Sequence, residues 1–518
     1  MQLQGQHVLI LGLGASGLAM ARWCAHAGAE VTVADTRETP PQLAVLQTEW
    51  PAVRFVSGPF VSSLVEGTSV RAVFRSPGLS PDVVAPVVDA AQAMGLWQGG
   101  ELSLFAAGLQ DLKSRTGYAP EVLAITGTNG KTTVTSLTGQ LVARSGKTVK
   151  VAGNIGPTLL DTLAQAVLQA QAHVQLQPEQ TEAQALPQVW VLELSSFQLD
   201  SSEGFEPTAA TVLNLSQDHL DWHGDMAAYS QAKARIFGKQ ALMVLNRDDA
   251  QVMKMRPQPI QVKLQKPVER LCLTFGGDMP QRPGDFGIEA TNGMTWLVRA
   301  MEADETRRRR KDEAEELHFQ RLIPADALRI RGRHNAVNAL AALALASSAG
   351  CALGPMLYGL REYRGEPHRV EPVAIVNDVE FFDDSKGTNV GATVAALQGL
   401  GAERRVVVIL GGDGKGQDFT PLAEPVSRFT RAVVLIGRDA PRIRDVLKDT
   451  GVTLHDATGM VDAVNQAANM AQRGDAVLMS PACASFDMFE NYGHRAEVFC
   501  QAVAHLAEAA GLVMEGSV

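Results

Sequence analysis

The stretch Ile125-Thr126-Gly127-Thr128-Asn129-Gly130-Lys131-Thr132-Thr133 decides the fold that we expect for this chain. The run at 121–125 is short and apolar, as in a buried strand, and apolar residues recur at helical spacing afterwards as far as Gly146. A glycine-rich turn between a strand and a helix lets backbone N–H groups converge on a phosphate, and Lys131 adds a positive charge. Thr132 is placed to reach a Mg²⁺ ion. The sequence therefore predicts an ATP-binding loop, in a variant with Ile125 where the usual pattern has glycine.

Length and composition indicate a large globular protein. At 518 residues the chain is long enough for about three domains. Its net charge of −10 argues against a general nucleic-acid binder, and its five scattered cysteines suggest neither a disulfide framework nor a zinc site. The first strand begins at His7, which leaves no room for a signal peptide, and every long apolar stretch is interrupted by glycine or charge. We expect a cytoplasmic protein that does not insert into a membrane.

A second glycine-rich turn, Gly12-Leu13-Gly14-Ala15-Ser16-Gly17, follows the first strand and opens a helix. Asp35 ends the next strand at the distance expected for a dinucleotide fingerprint, so a nicotinamide-dependent dehydrogenase is one interpretation. The chemistry requires only a diphosphate at the helix N-terminus and an acceptor beyond it, which a UDP-sugar also satisfies. This segment alone leaves both open, and the phosphate-binding loop downstream favours the interpretation without redox chemistry. A rigid loop at Ser76 follows a third strand at the same sheet edge.

Polar residues follow the strands of the middle segment, where open α/β sheets place their ligands. Asn154 and Glu193 each come after a short apolar run, and Glu193 is placed to hold the Mg²⁺ that bridges ATP phosphates. His219 and His223 are spaced like a zinc pair, but Leu220 stands where a zincin needs glutamate, so zinc hydrolysis is rejected. A role for His219 and a purely structural one remain equally open.

Two polar stretches interrupt this pattern. Residues 161–188 are rich in alanine and glutamine, and residues 302–321 carry the basic run 307–311 between acidic clusters. Pairs such as Arg308 with Asp312 and Arg309 with Glu313 favour a solvated, salt-bridged insertion over a nucleic-acid patch. Neither stretch is expected to carry chemistry.

The last third of the chain begins with an Ala/Leu-rich helix in which Asn335 and Asn338 suit either an adenine base or a helix cap. Beyond it, strands and helices alternate again. Lys386 and Lys415 follow strands and suit carboxylate or phosphate binding, or are ordinary turn lysines. No motif ties a histidine to Cys483, which is interpreted as a small loop residue.

These elements predict an α/β protein of three domains. A Rossmann-like domain is expected over residues 1–110 and a central P-loop ATPase-type domain with a parallel sheet over 111–365. A C-terminal Rossmann-like α/β domain is expected over 366–518. The stretches near 161–188 and 302–321 are interpreted as insertions in the central domain.

Together these landmarks resemble the Mur ligase family, whose members add amino acids to the UDP-linked peptidoglycan precursor. The resemblance covers most of the chain in family order and rests on residues 127–133, 153–156, Glu193, His334-Asn335, His368-Arg369 and Asp384-Ser385-Lys386. The runs Ser76-Pro77-Gly78, 193–199 and 479–485 are similar to those of the D-glutamate-adding branch, and the Asp-Asn-Pro-Arg run of the diaminopimelate-adding branch is not found. The chain departs from the family pattern at Asp383, where asparagine is commoner, and at Tyr492-Gly493, where Phe-Glu is commoner.

The resemblance implies an ATP-dependent amide ligase that joins D-glutamate to UDP-N-acetylmuramoyl-L-alanine through an acyl phosphate, with Mg²⁺. We expect a monomer. It implies catalytic roles for Lys131, Lys233, His219 and Lys386, and Mg²⁺ contacts for Thr132, Glu193, His219 and Lys233. The residues implied for ATP are Gly127, Thr128, Asn129, Gly130, Lys131, Thr132, Thr133, Asn335, Asn338, Arg369 and Asp384. Those implied for the UDP-linked precursor are Gly14, Ser16, Asp35, Thr36, Arg37, Ser76 and Asn154. Those implied for D-glutamate are Thr388, Lys415, Ser485 and Tyr492.

Lys233 matches the lysine that is carbamoylated in the family. From its own sequence context it is better interpreted as a solvent-facing helix lysine. Two further functions remain open: a ligase of the same family, or one like folylpolyglutamate synthase, with a different acceptor; and a nucleotide-binding regulator without turnover.

Overall fold

The computed structural model describes residues 3–177, 179–261, 267–303, 316–402 and 404–511, so the basic run 307–311 and its expected ion pairs lie outside the described residues. The chain divides into two compact units. The first contains Met1–Leu215, His219–Phe275 and Ala341–Gly359, and the second contains Ser216–Asp218, Gly276–Leu340 and Leu360–Val518. Among the described helices, none combines the length and the apolar character needed to cross a membrane.

The first unit begins with a five-stranded parallel sheet that positions the first glycine loop, which we define as residues 12–17. Its strands are β1 (His7–Leu11), β2 (Glu30–Asp35), β3 (Arg54–Ser57), β4 (Val70–Arg75) and β5 (Trp97–Gly99), in the order β3-β2-β1-β4-β5. Its helices are α1 (Ala15–His26), α2 (Leu43–Glu49), α3 (Pro81–Ala93) and α4 (Glu101–Thr116). Because β1 pairs with both β2 and β4, the loop that follows it opens beside the loops that follow its two neighbours.

A second sheet of the same unit carries the phosphate loop, which we define as residues 127–133. Its six parallel strands are β6 (Glu121–Thr126), β7 (Val149–Gly153), β8 (Val189–Glu193), β9 (Ala209–Val212), β10 (Leu242–Asn246) and β11 (Cys272–Phe275), in the order β11-β10-β9-β6-β8-β7. The helices are α5 (Lys131–Arg144), α6 (Leu159–Leu176), α7 (Glu182–Ala185), α8 (Ser196–Asp200), α9 (Leu220–His223), α10 (Met226–Ala234) and α11 (Ala250–Met253). Since β6 lies between β8 and β9, the residues that end these strands flank the phosphate loop.

The two sheets share one hydrophobic core, to which helices α1, α4 and α6 contribute. The rings of Phe105 and Trp190 meet edge to face at 5.3 Å. The stretch 161–188, interpreted above as an insertion, supplies most of α6, whose Leu163 and Ala166 are buried in this core. Alanine and glutamine favour helix, so the same composition that looked featureless forms a structural element.

The second unit contains a three-stranded antiparallel sheet that was absent from the expected architecture. Its strands are β12 (Phe286–Thr291), β13 (Met294–Glu302) and β14 (Leu317–Pro324). Helices α12 (Arg333–Ser348) and α13 (Leu353–Glu362) follow in the chain, and Ala341–Gly359 belong to the first unit. The turn between β12 and β13 is Asn292-Gly293, with φ angles of 50° and 74°. An Asn-Gly pair between two strands is a strong local signal for a hairpin, so the sequence did contain this information.

A six-stranded sheet forms the rest of the second unit. Its strands are β15 (Glu371–Val376), β16 (Val379–Asp383), β17 (Val406–Gly411), β18 (Thr430–Ile436), β19 (Thr453–Asp456) and β20 (Ala476–Met479), in the order β15-β16-β20-β17-β18-β19. Only β15 is antiparallel to its neighbour. The helices are α14 (Val390–Gly401), α15 (Ala423–Phe429), α16 (Ala440–Leu447), α17 (Met460–Met470) and α18 (Tyr492–Ala509). Alternate residues of β17 enter the cores on opposite faces, as the pleat of a covered sheet requires.

Candidate active site

The phosphate loop has the backbone geometry that anion binding requires. Gly127 and Gly130 have φ angles of 153° and 81°, which favour glycine. A Cβ at Gly127 would lie 3.0 Å from the Cβ of Leu213, so the site also lacks space for a side chain. Ile125, which departs from the usual pattern, is fully buried within β6. The variant position therefore belongs to the strand, and the loop keeps its glycines where they are needed.

Lys131 and the start of α5 bring positive charge to this loop. The Nζ atom of Lys131 donates to the carbonyl oxygens of Gly127 and Thr128 at 2.9 and 2.8 Å. Thr132 and Thr133 lie buried in the first turn of α5. The N-terminus of a helix attracts anions through its free N–H groups and its dipole. The arrangement suits a phosphate group.

Asn214, which the sequence analysis did not single out, holds the phosphate loop in place. Its Oδ1 accepts from the N–H of Asn129 at 2.8 Å, and its Nδ2 donates to the carbonyl oxygen of Asn129 at 3.0 Å. The N–H of Thr128 donates to the carbonyl oxygen of Asn214 at 2.9 Å. The sequence feature that could have identified Asn214 is its position just after an apolar strand, at the same sheet edge as the phosphate loop.

Lys233 lies against the phosphate loop and is 1% exposed. Its Nζ donates to the carbonyl oxygen of Gly127 at 2.9 Å and to Oγ1 of Thr126 at 3.2 Å. The same nitrogen lies 4.7 Å from the ring centroid of Tyr229, whose hydroxyl is 3.1 Å from Oγ1 of Thr128. The interpretation of Lys233 as a solvent-facing lysine is wrong, because α10 turns this residue toward the sheet instead of toward water.

Glu193 ends β8 beside the phosphate loop and is 2% exposed. Its Oε1 accepts from Nδ2 of Asn154 at 2.7 Å, and its carbonyl oxygen accepts from the Asn154 N–H at 2.8 Å. No described residue forms a hydrogen bond with Oε2, although this atom is buried. A buried carboxylate oxygen without a donor is suited to a cation. Asn154, assigned by resemblance to the UDP-linked precursor, and Glu193, assigned to Mg²⁺, therefore form one structural pair.

The two histidines of the i, i+4 pair are held by aromatic neighbours. His219, with a φ of 55°, precedes α9, and its ring meets Phe197 edge to face at 4.7 Å. His223 stacks on Phe197 at 5.7 Å, and its Nε2 lies 2.9 Å from Oγ of Ser196. Both rings therefore lie next to α8, which follows the Glu193 strand.

The first glycine loop has little space for a side chain at Gly12 and Gly17. A Cβ at Gly17 would lie 2.0 Å from the carbonyl oxygen of Gly12. Oγ of Ser76 donates to the same oxygen at 3.0 Å, which ties the loop after β4 to the loop after β1. Gly14 immediately precedes α1, and Ser16 lies in its first turn. Gly14, Ser16 and Ser76 thus lie close together, as a diphosphate site at a helix N-terminus requires.

Asp35 is buried at the end of β2 and closes this site on one side. Its Oδ2 accepts from the N–H of Leu13 at 2.8 Å, and its Oδ1 accepts from the N–H of Arg37 at 2.9 Å. The Arg37 guanidinium adds two bonds of 2.8 Å to the carboxylate. Burial acts against ionisation, but these bonds lower the pKa of Asp35 to about 2. Arg37 and the neighbouring Thr36 are exposed, so both are accessible to a ligand.

In the second unit, Asp384 follows β16 and is buried against the loop after β20. Its Oδ2 accepts from Oγ of Ser480 at 2.6 Å. Burial raises the pKa of Asp384 to about 7, against the lowering effects of Ser480 and of the Arg369 guanidinium. The adjacent carboxylate of Asp383 also raises the pKa of Asp384. This carboxyl group changes its charge near neutral pH.

His368 lies where two departures from the family pattern meet. Its Nδ1 lies 2.7 Å from Oδ2 of Asp383, and its ring lies 6.2 Å from that of Tyr492. Nζ of Lys386 is 5.2 Å from the Tyr492 ring centroid. Glu371 accepts from the N–H of His368 at 2.8 Å. Lys386 and Tyr492, which were predicted to bind substrate, are therefore neighbours.

The remaining residues predicted for D-glutamate lie on adjacent loops of the same sheet edge. Thr388 is half-buried, Ser485 is buried and Lys415 is exposed. Asp413 and Ala484 exchange two backbone hydrogen bonds of 3.0 and 2.9 Å, which brings the Lys415 loop beside the Ser485 loop. Polar groups from three strand ends are thus collected at one edge.

Arg495 is a buried residue of this region that the sequence analysis missed. Its guanidinium donates to the carbonyl oxygens of Ser385 at 2.7 Å and of Cys483 at 3.1 Å. Burial lowers the pKa of Arg495 to about 10. Its only signal in the sequence was a charged residue on the apolar face of α18. Cys483 is buried, and burial raises its thiol pKa, which agrees with a packing role and not with a nucleophile.

Asn335 and Asn338 form a short hydrogen-bonded chain in the first turns of α12. Nδ2 of Asn335 donates to the carbonyl oxygen of Arg331 at 2.8 Å. Nδ2 of Asn338 donates to Oδ1 of Asn335 at 3.2 Å. These bonds orient both amides and are compatible with a ligand at the remaining polar atoms.

Models of three domain families match successive parts of the chain. A model described as Mur ligase MurD-like, N-terminal domain, matches residues 6–97, and the Mur ligase middle domain matches residues 125–270. The model described as Mur ligase, glutamate ligase domain, matches residues 368–483. This layout confirms the predicted three-domain α/β fold class. The domain boundaries at residues 110 and 365 stay predictions.

Curated relatives are similar to this chain over nearly its whole length. Three proteins named UDP-N-acetylmuramoylalanine--D-glutamate ligase are among them. The relative from Albidiferax ferrireducens is 67% identical over 515 residues, covering 99% of both chains. The relative from Polaromonas sp. is 58% identical, covering 99% of this chain and 100% of its own. The relative from Burkholderia thailandensis is 55% identical, covering 96% of this chain and 97% of its own.

Solved structures share the fold at low sequence identity. The MurF ligase from Thermotoga maritima in complex with ADP has a TM-score of 0.54 at 16% identity and covers 98% of this chain and 96% of its own. The UDP-N-acetylmuramate-alanine ligase MurC from the same organism has a TM-score of 0.52 at 19% identity, with coverages of 96% and 99%. At these identities the likeness concerns the fold alone.

Proposed function

Because this chain belongs to the Mur ligase family, we propose that it is an ATP-dependent enzyme that joins D-glutamate to UDP-N-acetylmuramoyl-L-alanine. Relatives that carry the corresponding name are 55–67% identical to it over nearly their whole length. The main structural support for the proposal is the hydrogen bond from Lys233 to Gly127 of the phosphate loop. This bond brings a buried lysine into contact with a loop of the ATP-binding type. The use of ATP and of a nucleotide-linked substrate supports a cytoplasmic location for this reaction.

The chemistry begins with a carboxylate that resists attack by an amine. An oxygen of the alanine carboxylate attacks the γ-phosphorus of ATP, the bond to the β-phosphate oxygen breaks, and ADP leaves. The amine nitrogen of D-glutamate then attacks the carbonyl carbon of the acyl phosphate. The resulting tetrahedral intermediate loses a proton from nitrogen and expels phosphate, which leaves an amide. The protein must bring together the phosphates of ATP, the alanine carboxylate and D-glutamate, which are all anionic. It must also exclude water from the acyl phosphate.

The phosphate loop provides the positive charge that is needed to bring these anionic groups together. Lys131 and the N-terminus of α5 offset the charge of the β- and γ-phosphates while the carboxylate approaches. The hydrogen bonds from Asn214 keep the loop in shape before ATP binds. This geometry needs little rearrangement when the nucleotide arrives.

Mg²⁺ fits the residues near this loop. The buried Oε2 of Glu193 lacks a donor among the described residues, and hard oxygen ligands are what Mg²⁺ prefers. Thr132, Glu193 and His219 would hold the ion, with Lys233 as a carbamate. When bound, Mg²⁺ offsets the charge that develops on the transferring phosphoryl group. Asn154 keeps the Glu193 carboxylate oriented through its bond to Oε1.

Carbamoylation would convert Lys233 from a competitor of the metal into a ligand. A lysine cation next to Mg²⁺ is repelled by the ion. Reaction of the neutral amine with CO₂ forms an N–C bond as one C=O π bond of CO₂ breaks, and releases one proton, which leaves a carbamate whose single negative charge is shared by two oxygens. The carbamate nitrogen keeps one N–H, enough to retain the bond to Gly127.

At the precursor end, the first glycine loop would receive the diphosphate and Asp35 the uracil. Gly14 and Ser16 lie at the N-terminus of α1, and Ser76 supports the loop. Arg37 fixes the Asp35 carboxylate as an ionised acceptor, which suits the N–H of a uracil ring. This use of the loop requires no nicotinamide.

The second unit would supply the groups for adenosine and D-glutamate. Asp384, Arg369, Asn335 and Asn338 are proposed for adenosine. Lys386 is proposed to stabilise the acyl phosphate, and Thr388, Lys415, Ser485 and Tyr492 are proposed to hold D-glutamate. Lys386 would then offset the negative charge of the acyl phosphate, and Lys415 that of a D-glutamate carboxylate.

Phosphate release from ATP tests the proposal directly. We expect release that requires UDP-N-acetylmuramoyl-L-alanine and D-glutamate together and that fails with L-glutamate, glycine or meso-diaminopimelate. Release with another amino acid would point to a ligase with a different acceptor. ATP binding without any turnover would point to a regulator, and hydride transfer with NAD would overturn the ligase assignment.

A further inference from the structure

We propose that Glu101 is a positioning residue for the substrate diphosphate, which takes up a proton when the diphosphate binds and presents that proton to the Ser16 hydroxyl. The inference rests on the proposed function, because it requires a UDP-linked substrate at the first glycine loop. It adds a residue that lies outside the loop itself.

Glu101 lies where the first turns of three helices meet. It is the first residue of α4 and is 2% exposed. Its Oε1 accepts from the N–H of Leu160, the second residue of α6, at 3.0 Å. The hydroxyl of Ser16, the second residue of α1, lowers the pKa of the same carboxyl group. The carboxyl group therefore accepts a hydrogen bond from the backbone of α6 and lies beside the start of α1, which is proposed to receive the diphosphate.

One oxygen of this carboxyl group is not satisfied. Oε2 is buried and has no hydrogen-bond partner among the described residues. Burial raises the pKa of Glu101 to about 6, and the Asp161 carboxylate acts in the same direction, whereas the N–H groups of Leu160 and Leu159 and the Ser16 hydroxyl lower it. A buried oxygen without a partner is costly, and a proton on it removes the charge and supplies a donor.

A protonated Glu101 changes what Ser16 can do. A hydroxyl has one proton to donate and can also accept. While Glu101 is ionised, the Ser16 proton is attracted to its carboxylate. Once Glu101 carries the proton, it can donate to Oγ of Ser16, and the Ser16 proton is then available for a phosphate oxygen. The acid thus aligns Ser16 toward the diphosphate and does not compete with it.

The charge of the ligand drives the protonation. A diphosphate at the start of α1 places negative charge near Glu101, and nearby negative charge raises a carboxyl pKa. Asp161 of α6 already acts in this direction on Glu101, while Arg22 of α1 pairs with Asp161 at 3.3 Å. On α8, Asp200 is neutralised by Arg75 at 2.6 Å. Strand β5, which also packs on α4, carries no charged residue.

Titration calorimetry of the full-length chain with UDP-N-acetylmuramoyl-L-alanine tests this inference. Measured in buffers of different ionisation enthalpy at pH 7, the wild-type chain should take up a substantial fraction of one proton. Its affinity should weaken by about tenfold from pH 6 to pH 8, since protonation of Glu101 is linked to binding. The diphosphate diester of this ligand does not itself titrate in that range.

Glu101→Gln is the informative variant. Its amide keeps an acceptor for the Leu160 N–H and offers an N–H to Ser16 at every pH. It should bind without proton uptake and with an affinity that does not change from pH 6 to pH 8. In turnover at pH 8, its KM for the precursor should be equal to or below the wild-type value, with kcat unchanged. Glu66→Gln, at an exposed position of the same domain, should keep the wild-type proton uptake.

Equal proton uptake by the wild type and Glu101→Gln would overturn the inference, and so would the absence of uptake in the wild type. Weaker binding of the variant at every pH with the same slope would assign Glu101 a purely structural role. If the wild-type chain does not bind the precursor at all, the proposed function fails together with the inference. If it binds and turns over without uptake linked to Glu101, only the inference fails.

Discussion

Nζ of Lys233 lies 2.9 Å from the carbonyl oxygen of Gly127, which is the first residue of the phosphate loop. The two residues are 106 positions apart in the chain. A buried lysine at this place influences both the loop backbone and any charged group that the loop receives. It is therefore the residue on which the proposed chemistry depends most strongly.

We predict that Lys233→Ala nearly abolishes phosphate release and that Lys233→Arg does no better. Arginine keeps the positive charge and cannot form a carbamate, so it would still repel the metal. Activity of the wild-type chain should fall in CO₂-stripped buffer at low pH and return with bicarbonate.

Lys239→Ala, at an exposed position shortly after Lys233 in the chain, should retain activity and serves as the matched control. Substantial activity of Lys233→Arg would show that no carbamate is needed.

Asn214→Ala should raise the KM for ATP by up to about 30-fold, because two hydrogen bonds to Asn129 disappear and each contributes about 1 kcal/mol. The effect on kcat should be smaller, since Asn214 shapes the loop and does not touch the reacting atoms. Steady-state kinetics with ATP as the varied substrate measures both quantities. Gln231→Ala, on the exposed face of α10, is the control. An unchanged KM would show that the loop keeps its shape without this side chain.

Asp384→Asn should stabilise the protein at alkaline pH while it impairs ATP use. The pKa of Asp384 is about 7 in the folded state and 3.8 ordinarily, so the folded state binds the extra proton. Stability is therefore lost as pH rises from about 4 to 7 and stays lower above that range. Asparagine cannot ionise, and we expect a gain of about 2–4 kcal/mol at pH 8 and none near pH 4.

Chemical denaturation at both pH values measures this gain. Asp449→Asn, at an exposed position of the same unit, should show no comparable gain. Equal stability of Asp384→Asn and the wild type at pH 8 would contradict the prediction.

His334 should make the protein less stable in mild acid. Its Nδ1 is buried without a described hydrogen-bond partner, and Gly399 leaves it space, since a Cβ there would lie 2.7 Å from that atom. Burial lowers the pKa of His334 from 6.5 to about 4. The unfolded chain then binds more protons between these values, so stability is complete above pH 6.5 and declines as pH falls toward 4.

We expect the free energy of unfolding of the wild-type chain to fall by about 1–3 kcal/mol between pH 6.5 and pH 4 because of His334, and we expect His334→Gln to lack this decline. Because Asp384 acts in the opposite direction over part of this range, the comparison must be made between variant and wild type at each pH. His455→Gln, at an exposed position, should retain the wild-type decline. A decline of the same size in His334→Gln would assign it to other groups.

Features that depend on neighbours in the chain were predictable from the sequence. The phosphate loop, the first glycine loop and the Asp35–Arg37 pair each lie within a few residues, and their backbone requirements appear directly as glycines and acids at fixed spacing. The parallel α/β character followed from short apolar strands that alternate with helices, because burial on both faces demands this composition. The hairpin at Asn292-Gly293 had a local signal too, although it was not used.

Only the tertiary structure decided which distant residues meet. Whether Lys233 faces water or the phosphate loop depends on how α10 packs on the second sheet, and its helix sequence is compatible with both. Asn214 reaches Asn129 across 85 positions because β9 lies beside β6. Glu101 has an unsatisfied oxygen because α1, α4 and α6 pack together around it, and this packing cannot be predicted from the sequence of any one of the three helices. Local motifs consist of residues close together in the chain. The burial, the pKa and the hydrogen-bond partners of a side chain depend instead on packing between elements that the chain order does not specify.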